Sequence, residues 1–588
     1  MPYIIGIDLG TTNCGLAYAE ENAPDSLRTA PVKLFNIPQL VNPGEVSDEP
    51  LLPSFLYLPS QTDFPPGSLT LPWHQKQSSI VGILAQKRGA ENAGRLVSSA
   101  KSWLSHSGVD RTSPLLPVAG PEGVPKISPL AASKAYLEHL RNAWNQKMPE
   151  ALFNKQTVLI TVPASFDEVA RELTQKAAEQ AGYTNVILLE EPQAAFYAWI
   201  ERNPDWREKV KVGDLILVVD IGGGTTDFTL IAVKEEAGGL KLERSAVGEH
   251  ILLGGDNMDL ALARTVELEL AAKNTKLDTM QLNALWQQCR IAKESLLDPA
   301  NQKDEHPITI LGRGTGLVGG TIKTKLTRAS LEEVLRDGFF PMVASEEMPQ
   351  IRKRVALQEV GLPYAADAAI TRHLAKFLRS EANAKPTHIL FNGGVLRATL
   401  IRERILETIN SWQPNPVISL QGEDLMHAVS RGAAYYGQAR QGKGVRIRGG
   451  VSRTYYVGIE SSLPAVPGVP TPLKALTVAN FGMEEGTKVD FPNREFGLII
   501  GEPAEFRFFC SPTRKNDLPG DMLDQVGDDL EEISPVEVTL PADGNAGQIV
   551  RVSLETEVTE TGVLQLWCVA RDGRRWKLEF NVREKVAA

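Results

Sequence analysis

Two segments of this chain repeat the same pattern of chemically useful residues. Ile7-Asp8-Leu9-Gly10-Thr11-Thr12-Asn13 stands near the start. Asp220-Ile221-Gly222-Gly223-Gly224-Thr225-Thr226-Asp227 stands 212 residues later, measured from aspartate to aspartate. Each is an apolar run that ends in Asp, then glycine, then paired threonines. Glycines let a backbone approach a phosphate closely and aim N–H groups at it, and threonine hydroxyls add donors. A carboxylate repels phosphate, but it can hold Mg²⁺ directly or through the ion's water shell, because that ion keeps waters and needs few carboxylates. Two such loops facing each other would clamp a metal-bound polyphosphate. Taken singly, each motif reads equally well as a turn after a strand-end aspartate, and it is the pairing that points to phosphate. No GxxxxGK[ST] follows either strand, so neither is a Walker loop. Gly254-Gly255 before Asp256 and Gly393-Gly394 after Asn392 extend the set.

Loops of this kind need strands behind them. Residues 3–7, 157–162, 215–219 and 388–391 read as buried strands, and 167–181, 282–297 and 367–380 as helices. In the first helix, Val169, Leu173, Ala177 and Ala181 recur every four residues, with Gly182 where a C′ glycine belongs. Strand-like and helical segments alternate to about residue 440, which predicts a layered α/β architecture. Residues 59–72 read as a long surface loop. The glycine-rich 441–450 reads as a linker. Beyond it, short β-rich runs at 451–460, 477–481, 506–510, 536–540, 550–556 and 563–570 predict an all-β sandwich, with the acidic stretch 521–532 as a solvated loop.

At 588 residues the chain has room for about three or four units. With 62 Lys+Arg against 72 Asp+Glu, the net charge is −10, which disfavours nucleic acid and anionic membrane as partners. Four scattered cysteines fit a reducing compartment rather than a disulfide framework or zinc cluster. The N-terminus lacks a basic secretory n-region, and no apolar run approaches the ~20 residues of a membrane span. The expectation is a cytoplasmic protein.

Six motifs in order, IDLGTTN, VPASFDEVAR, LLEEPQAA, VDIGGGTTDF, LLGGDNMD and FNGGVLR, resemble the nucleotide-binding domain of DnaK-type 70-kDa heat-shock chaperones, within the actin-like ATPase superfamily. The resemblance covers about residues 3–440 and continues more weakly through VSRTYYVGIE and ETGVLQLWCVARDGRRWKLEF. It implies a two-lobed actin-like ATPase domain with duplicated ribonuclease-H-like halves over 1–440, a linker over 441–450, and a β-sandwich substrate-binding-like domain over 451–588.

The resemblance also implies roles. Asp8 and Asp220 would hold the Mg²⁺ water shell. Gly10, Thr11, Thr12 and Asn13 would form one phosphate loop, and Gly222, Gly223, Gly224 and Thr225 the other. Thr225 and Asp227 would sit by the terminal phosphate and the attacking water. Lys101 matches the family lysine beside that phosphate, although a solvated lysine on an amphipathic helix is the alternative. Glu191 would orient water or metal, with Pro192 fixing the register against Glu190. Pro163 and Arg171 match an allosteric pair that relays nucleotide state, unless both are simply structural. Gly254 and Gly255 would approach phosphate, while Lys293, Gly393, Gly394 and Arg397 would surround the adenosine.

The chain also departs from the family. The acidic ribose partner is replaced by Arg290, the serine near the base by Leu297, and a small polar residue by Val395. Residues 341–366 look like an insertion. Two arginines interrupt the apolar linker, so its docking by hydrophobic burial is expected to be weakened. The chain stops at Ala588 without a helical lid or an acidic tail, and a lidless groove is expected to release a peptide quickly. The resulting expectation is an ATP/ADP- and Mg²⁺-binding chaperone-like protein with weak ATPase activity, acting on unfolded or partner polypeptides, with co-chaperones as possible further partners. A non-hydrolysing nucleotide-regulated interaction module and a sugar or small-molecule kinase are the competing classes.

Overall fold

The computed structural model describes residues 2–578 except 22–28, 75–77, 119, 237–238, 299, 313–319, 352–360, 422–423, 444–446, 448–450, 452, 462–471, 484–485, 493, 540–546 and 559–563. Its first sheet is built on Tyr3–Leu9. That strand runs parallel to Thr157–Val162, which is parallel to Val186–Glu190, and antiparallel to Asn13–Glu20, beyond which lies Lys33–Leu34. The second sheet repeats this order. Leu215–Ile221 is parallel to His388–Asn392, which is parallel to Ile418–Ser419, and antiparallel to Thr226–Glu236, beyond which lies Gly239–Val247. Asp8 and Asp220 each lie one residue before the end of the central strand, just ahead of its hairpin. The echo seen in the sequence is therefore also an echo in topology.

The central strands are nearly continuous runs of apolar residues because both faces are covered. Helices Glu191–Arg202 and Ala428–Arg440 lie in the layer the two sheets share. Their Ala194, Trp199, Ala433 and Tyr436 join Ile4, Ile216, Val218 and Leu390 in one buried cluster. Close packing requires Gly432 in this layer, since a Cβ there would stand 1.7 Å from the Ala194 carbonyl oxygen.

Helix Glu168–Gln180 begins where Asp167 accepts the Ala170 N–H at 2.7 Å and is followed by left-handed Gly182, one residue inside the predicted span at each end. Helix Thr279–Leu297 starts three residues earlier than the periodicity predicts, because Asp278 and Gln281 form a capping box. The third runs Ile370–Ser380. Residues 59–70 are irregular, yet Phe64 and Leu69 pack against the Leu40–Tyr57–Leu71 cluster, so this excursion is anchored rather than free. Most of the sequence-predicted linker, and 352–360 of the predicted insertion, lie outside the described residues.

The C-terminal region forms two antiparallel sheets. One has Thr454–Glu460 between Leu473–Ala479 and Pro503–Ser511, and the other is built around Gln548–Val558 and Leu564–Ala570. The run expected at 477–481 is displaced to Leu473–Ala479, because the chain turns at Asn480–Met483 around left-handed Gly482. The acidic stretch is not one solvated loop. Met522–Leu523 pairs with Leu476 and Ala475, Asp529 meets Arg514 at 2.9 Å, and Glu531–Thr539 is a strand. All four cysteines are buried and free. Among the described residues no helix is long and apolar enough to cross a membrane.

Candidate functional site

The two glycine–threonine loops meet face to face. A Cβ on Gly223 would lie 1.9 Å from the Thr12 hydroxyl, and one on Gly224 would lie 3.0 Å from the Thr11 methyl. A side chain at either position would push the threonines back from the facing loop. Between the loops lies a cavity whose wall includes Asp8, Gly10, Thr11, Thr12 and Asn13 from the first loop, and Asp220, Gly222, Gly223 and Thr225 from the second. Lys101, Glu191, Gly255, Lys293, Gly393, Gly394 and Arg397 line it as well. With Leu425, Met426 and Val429, the structure brings residues from eight separate stretches of chain to one cavity.

Acidity dominates its floor. Burial, then the charge of Glu191, pushes the Asp8 carboxyl up to about 7. Burial and Glu191 also hold Asp220 well above the usual carboxylate range, although Asn392 Nδ2 donates to its Oδ2 at 2.7 Å. The other amide atom, Asn392 Oδ1, is buried without a hydrogen-bond partner among the described residues. Lys101 is buried and ion-paired with Glu191. Burial opposes its charge, but Glu191 and Asp8 outweigh that cost and raise its pKa. The solvated-lysine alternative does not apply.

Among the described residues, no three His, Cys, Asp or Glu converge tightly enough to hold a metal by themselves. Two carboxylates with a deficit of positive charge suit an ion that keeps its waters and takes further oxygens from a phosphate, as Mg²⁺ does.

Other expected residues lie elsewhere. Asp227 is buried behind Thr225, which bonds to its carboxylate, and burial raises its pKa to about 7. Gly254 lies beneath the second loop: the Gly255 and Asp256 amides donate to the Gly222 and Gly223 carbonyls at 3.0 and 2.7 Å, so the Gly255 amide is already engaged. Gly224 packs on Ser102. Pro163 and Arg171 do not line the cavity. Arg171 bonds Glu190 at 2.9 Å, and Arg244 completes that buried cluster. The adjacent glutamates have thus divided: Glu191 faces the cavity, and Glu190 faces the arginines.

On the opposite wall, Arg290 bonds Asp256 Oδ1 at 2.6 Å and Asp259 Oδ2 at 2.9 Å, and its guanidinium lies over the Phe55 ring. Lys293 meets Asp259 at 2.7 Å and donates to the Gly255 carbonyl at 3.0 Å. Ser99, which is left-handed, donates to Asp256 Oδ2 at 2.6 Å. Sequence reasoning missed Asp256 and Asp259 as partners. A signal was present, since each pair, Asp256/Asp259 and Arg290/Lys293, has the three-residue spacing of one helix face. Ser99, Ser105, Ser165 and His250 gave no sequence signal.

The C-terminal region touches this machinery. Tyr455 Oη donates to Glu168 Oε1 at 2.9 Å, on the same helix as Arg171. Lys515 bonds Glu381 at 2.6 Å and the Ser245 carbonyl at 3.2 Å. Within the predicted linker, Ile447 is 3% exposed, and its N–H donates to Tyr197 Oη at 2.7 Å. The expectation of weak linker docking is thereby corrected at this residue: one isoleucine buries itself in the shared helical layer despite the flanking arginines.

Residues 76–346 match the family model of Hsp70 proteins. Similar curated proteins include chaperone protein HscA homologs from Colwellia psychrerythraea, 30% identical over 56% of this chain and 46% of the relative, and from Cupriavidus necator, 26% identical over 60% and 53%. A third, from Aeromonas hydrophila, is 24% identical over 71% and 56%. The chain spans about half the length of these curated relatives. Five of the six motifs contribute residues to the wall of one cavity, in the order the resemblance expects, and over 76–346 the chain is similar to Hsp70 proteins.

Proposed function

We propose that this protein binds ATP and ADP with Mg²⁺ in the cavity between its two matching sheets, hydrolyses ATP slowly, and couples that cycle to binding an unfolded or partner polypeptide. The division underlying this reading is a two-lobed actin-like ATPase domain with duplicated ribonuclease-H-like halves over 1–440, a linker over 441–450 and a β-sandwich over 451–588. The single observation that carries it is the opposition of the two glycine–threonine loops over Asp8 and Asp220.

Mg²⁺ bound there would neutralise the charge of the phosphate oxygens. Asp8 and Asp220 would hold its water shell. The hydroxyls of Thr11 and Thr12 donate to phosphate oxygens, the Thr225 oxygen, whose hydrogen goes to Asp227, accepts from the attacking water, and Lys101 turns from Glu191 toward the terminal phosphate. Glu191, relieved of its partner, orients the attacking water. Rate enhancement comes from positioning and charge stabilisation, with no covalent intermediate. The step to the C-terminal region runs from Glu191 to neighbouring Glu190, to Arg171, and along its helix to Glu168 and Tyr455.

Steady-state ATP turnover with and without unfolded peptide tests this reading. Stimulation by peptide supports it, and absence of heat on titration with Mg²⁺ and ATP overturns it. Lys101→Ala is expected to keep nucleotide affinity within a few-fold and to lower the rate by about 10²–10³, whereas equal loss of both refutes the role of that lysine. One observation favours binding without turnover instead: Arg290 and Lys293 are engaged by Asp256 and Asp259. ATP binding with no hydrolysis in the same assay would establish that second reading.

A further inference from the structure

A string of polar contacts runs from the cavity wall across the cleft. The cavity-lining Thr225 bonds Asp227 on the second sheet's hairpin, and Ser165 Oγ is hydrogen-bonded to Asp227 Oδ1. Ser165 Oγ also lies 2.6 Å from His250 Nδ1, and His250 Nε2 lies 3.2 Å from Ser105 Oγ. Ser105 in turn donates to the Ser102 carbonyl at 2.9 Å. Ser105 follows helix Ala100–Leu104, and Ser165 follows strand Thr157–Val162 of the first sheet. Asp227 belongs to the second sheet, and His250 follows that sheet's strand Gly239–Val247. The string therefore crosses from one half to the other three times.

Counting hydrogens gives the string a direction. Ser105 has one hydroxyl hydrogen, which it gives to Ser102, so His250 Nε2 carries the hydrogen between that pair. Burial holds the imidazole pKa down to about 4, so the ring is neutral and Nδ1 is bare. Nδ1 accepts from Ser165, whose single hydrogen is therefore contested between His250 and Asp227. Phe166 flanks the ring edge-on at 6.0 Å and narrows its freedom to turn away.

We infer that Ser165 and His250 are positioning residues for the cavity-facing hydroxyl of Thr225. They act through Asp227, and meeting of the two halves completes the string. Thr225 and Asp227 share one hairpin, so their mutual bond survives opening of the cleft. The orientation of the carboxylate depends on Ser165, which arrives from the other half. Closure thereby sets an oriented hydroxyl oxygen beside the phosphate and its attacking water, and an open cleft leaves it loose. This inference rests on the hydrolysis reading above.

Single-turnover ATP hydrolysis and ATP affinity, measured on the full chain, test it. Ser165→Ala removes only a hydroxyl, and it is expected to slow turnover about tenfold to a hundredfold with the ATP Kd within twofold of wild type. His250→Asn places an amide near the lost Nδ1 and is expected to retain more rate than His250→Gln, whose amide lies nearer Nε2. A loss that follows the melting temperature instead of this order overturns the inference, as does a parallel loss of rate and affinity. Wild-type turnover unchanged by Ser165→Ala overturns it and leaves hydrolysis standing, while absence of wild-type turnover overturns both.

Discussion

Replacing Asp8 by asparagine is expected to stabilise the nucleotide-free protein while abolishing its stabilisation by Mg²⁺ and ATP. Burial and the charge of Glu191 move this carboxyl from its ordinary 3.8 to about 7. A carboxylate whose folded pKa exceeds its unfolded value opposes folding once the unfolded form ionises. The penalty is absent below about pH 3.8, grows as pH rises, and is complete above about 7. A displacement of this size corresponds to about 4 kcal/mol. Water reaches Asp8 through the cavity, which screens the penalty to about 2 kcal/mol. The asparagine variant should therefore melt roughly 2–5 °C higher at about pH 8, with a smaller gain at about pH 6, where the wild-type carboxyl is mostly protonated. For wild type, ATP with Mg²⁺ at a hundred times Kd adds about 2.7 kcal/mol, and for the variant this shift disappears. Melting curves at both pH values, with and without Mg²⁺ and ATP, decide the matter. A less stable nucleotide-free variant, or an intact ATP shift in the variant, refutes the assignment of Asp8 to a metal-bound phosphate.

Arg290→Ala leaves Asp256 and Asp259 buried with too little positive charge, and is expected to cost about 3–5 kcal/mol in thermal unfolding; a neutral result would mean the cluster is solvated. Tyr455→Phe removes the hydroxyl held by Glu168, at a cost of about 1 kcal/mol, and is expected to blunt stimulation of ATP turnover by peptide while leaving the unstimulated rate unchanged. Ile447→Ala empties a buried site worth about 2–5 kcal/mol; the expected readout is faster proteolytic cleavage within 441–450 and unchanged cleavage elsewhere.

What was legible in the sequence was local. Each glycine–threonine loop carries its chemistry within eight residues, and the strands behind the loops are apolar on both faces, so 157–162 is read at its observed bounds. What was not legible depends on which side chains meet across the fold. Arg290 stands where the family has an acid, yet it spends its charge on aspartates about thirty residues away on a neighbouring helix. Asp227 looks like a catalytic residue in its motif, but Thr225 lines the cavity while Asp227 is buried and bonded to it. Ile447 is flanked by arginines, and its burial follows from one tyrosine hydroxyl and a pocket of helical side chains.

The paired glutamates show why a motif can place a site and still miss its coupling. Glu190 ends strand Val186–Glu190, and Glu191 opens the helix that Pro192 starts. The change from pleat to helix sends two neighbouring side chains to opposite sides of one backbone. Glu191 reaches Lys101 in the cavity, while Glu190 reaches Arg171 and Arg244 outside it. If Lys101 is drawn from Glu191 to a phosphate, as proposed, Glu191 would lose its cation partner, and any rotation of that peptide would move Glu190 against two buried arginines. Buried charges bonded at 2.9 Å tolerate little such movement, so on this proposal the displacement would pass to the helix that carries Arg171 and Glu168, and from Glu168 to Tyr455.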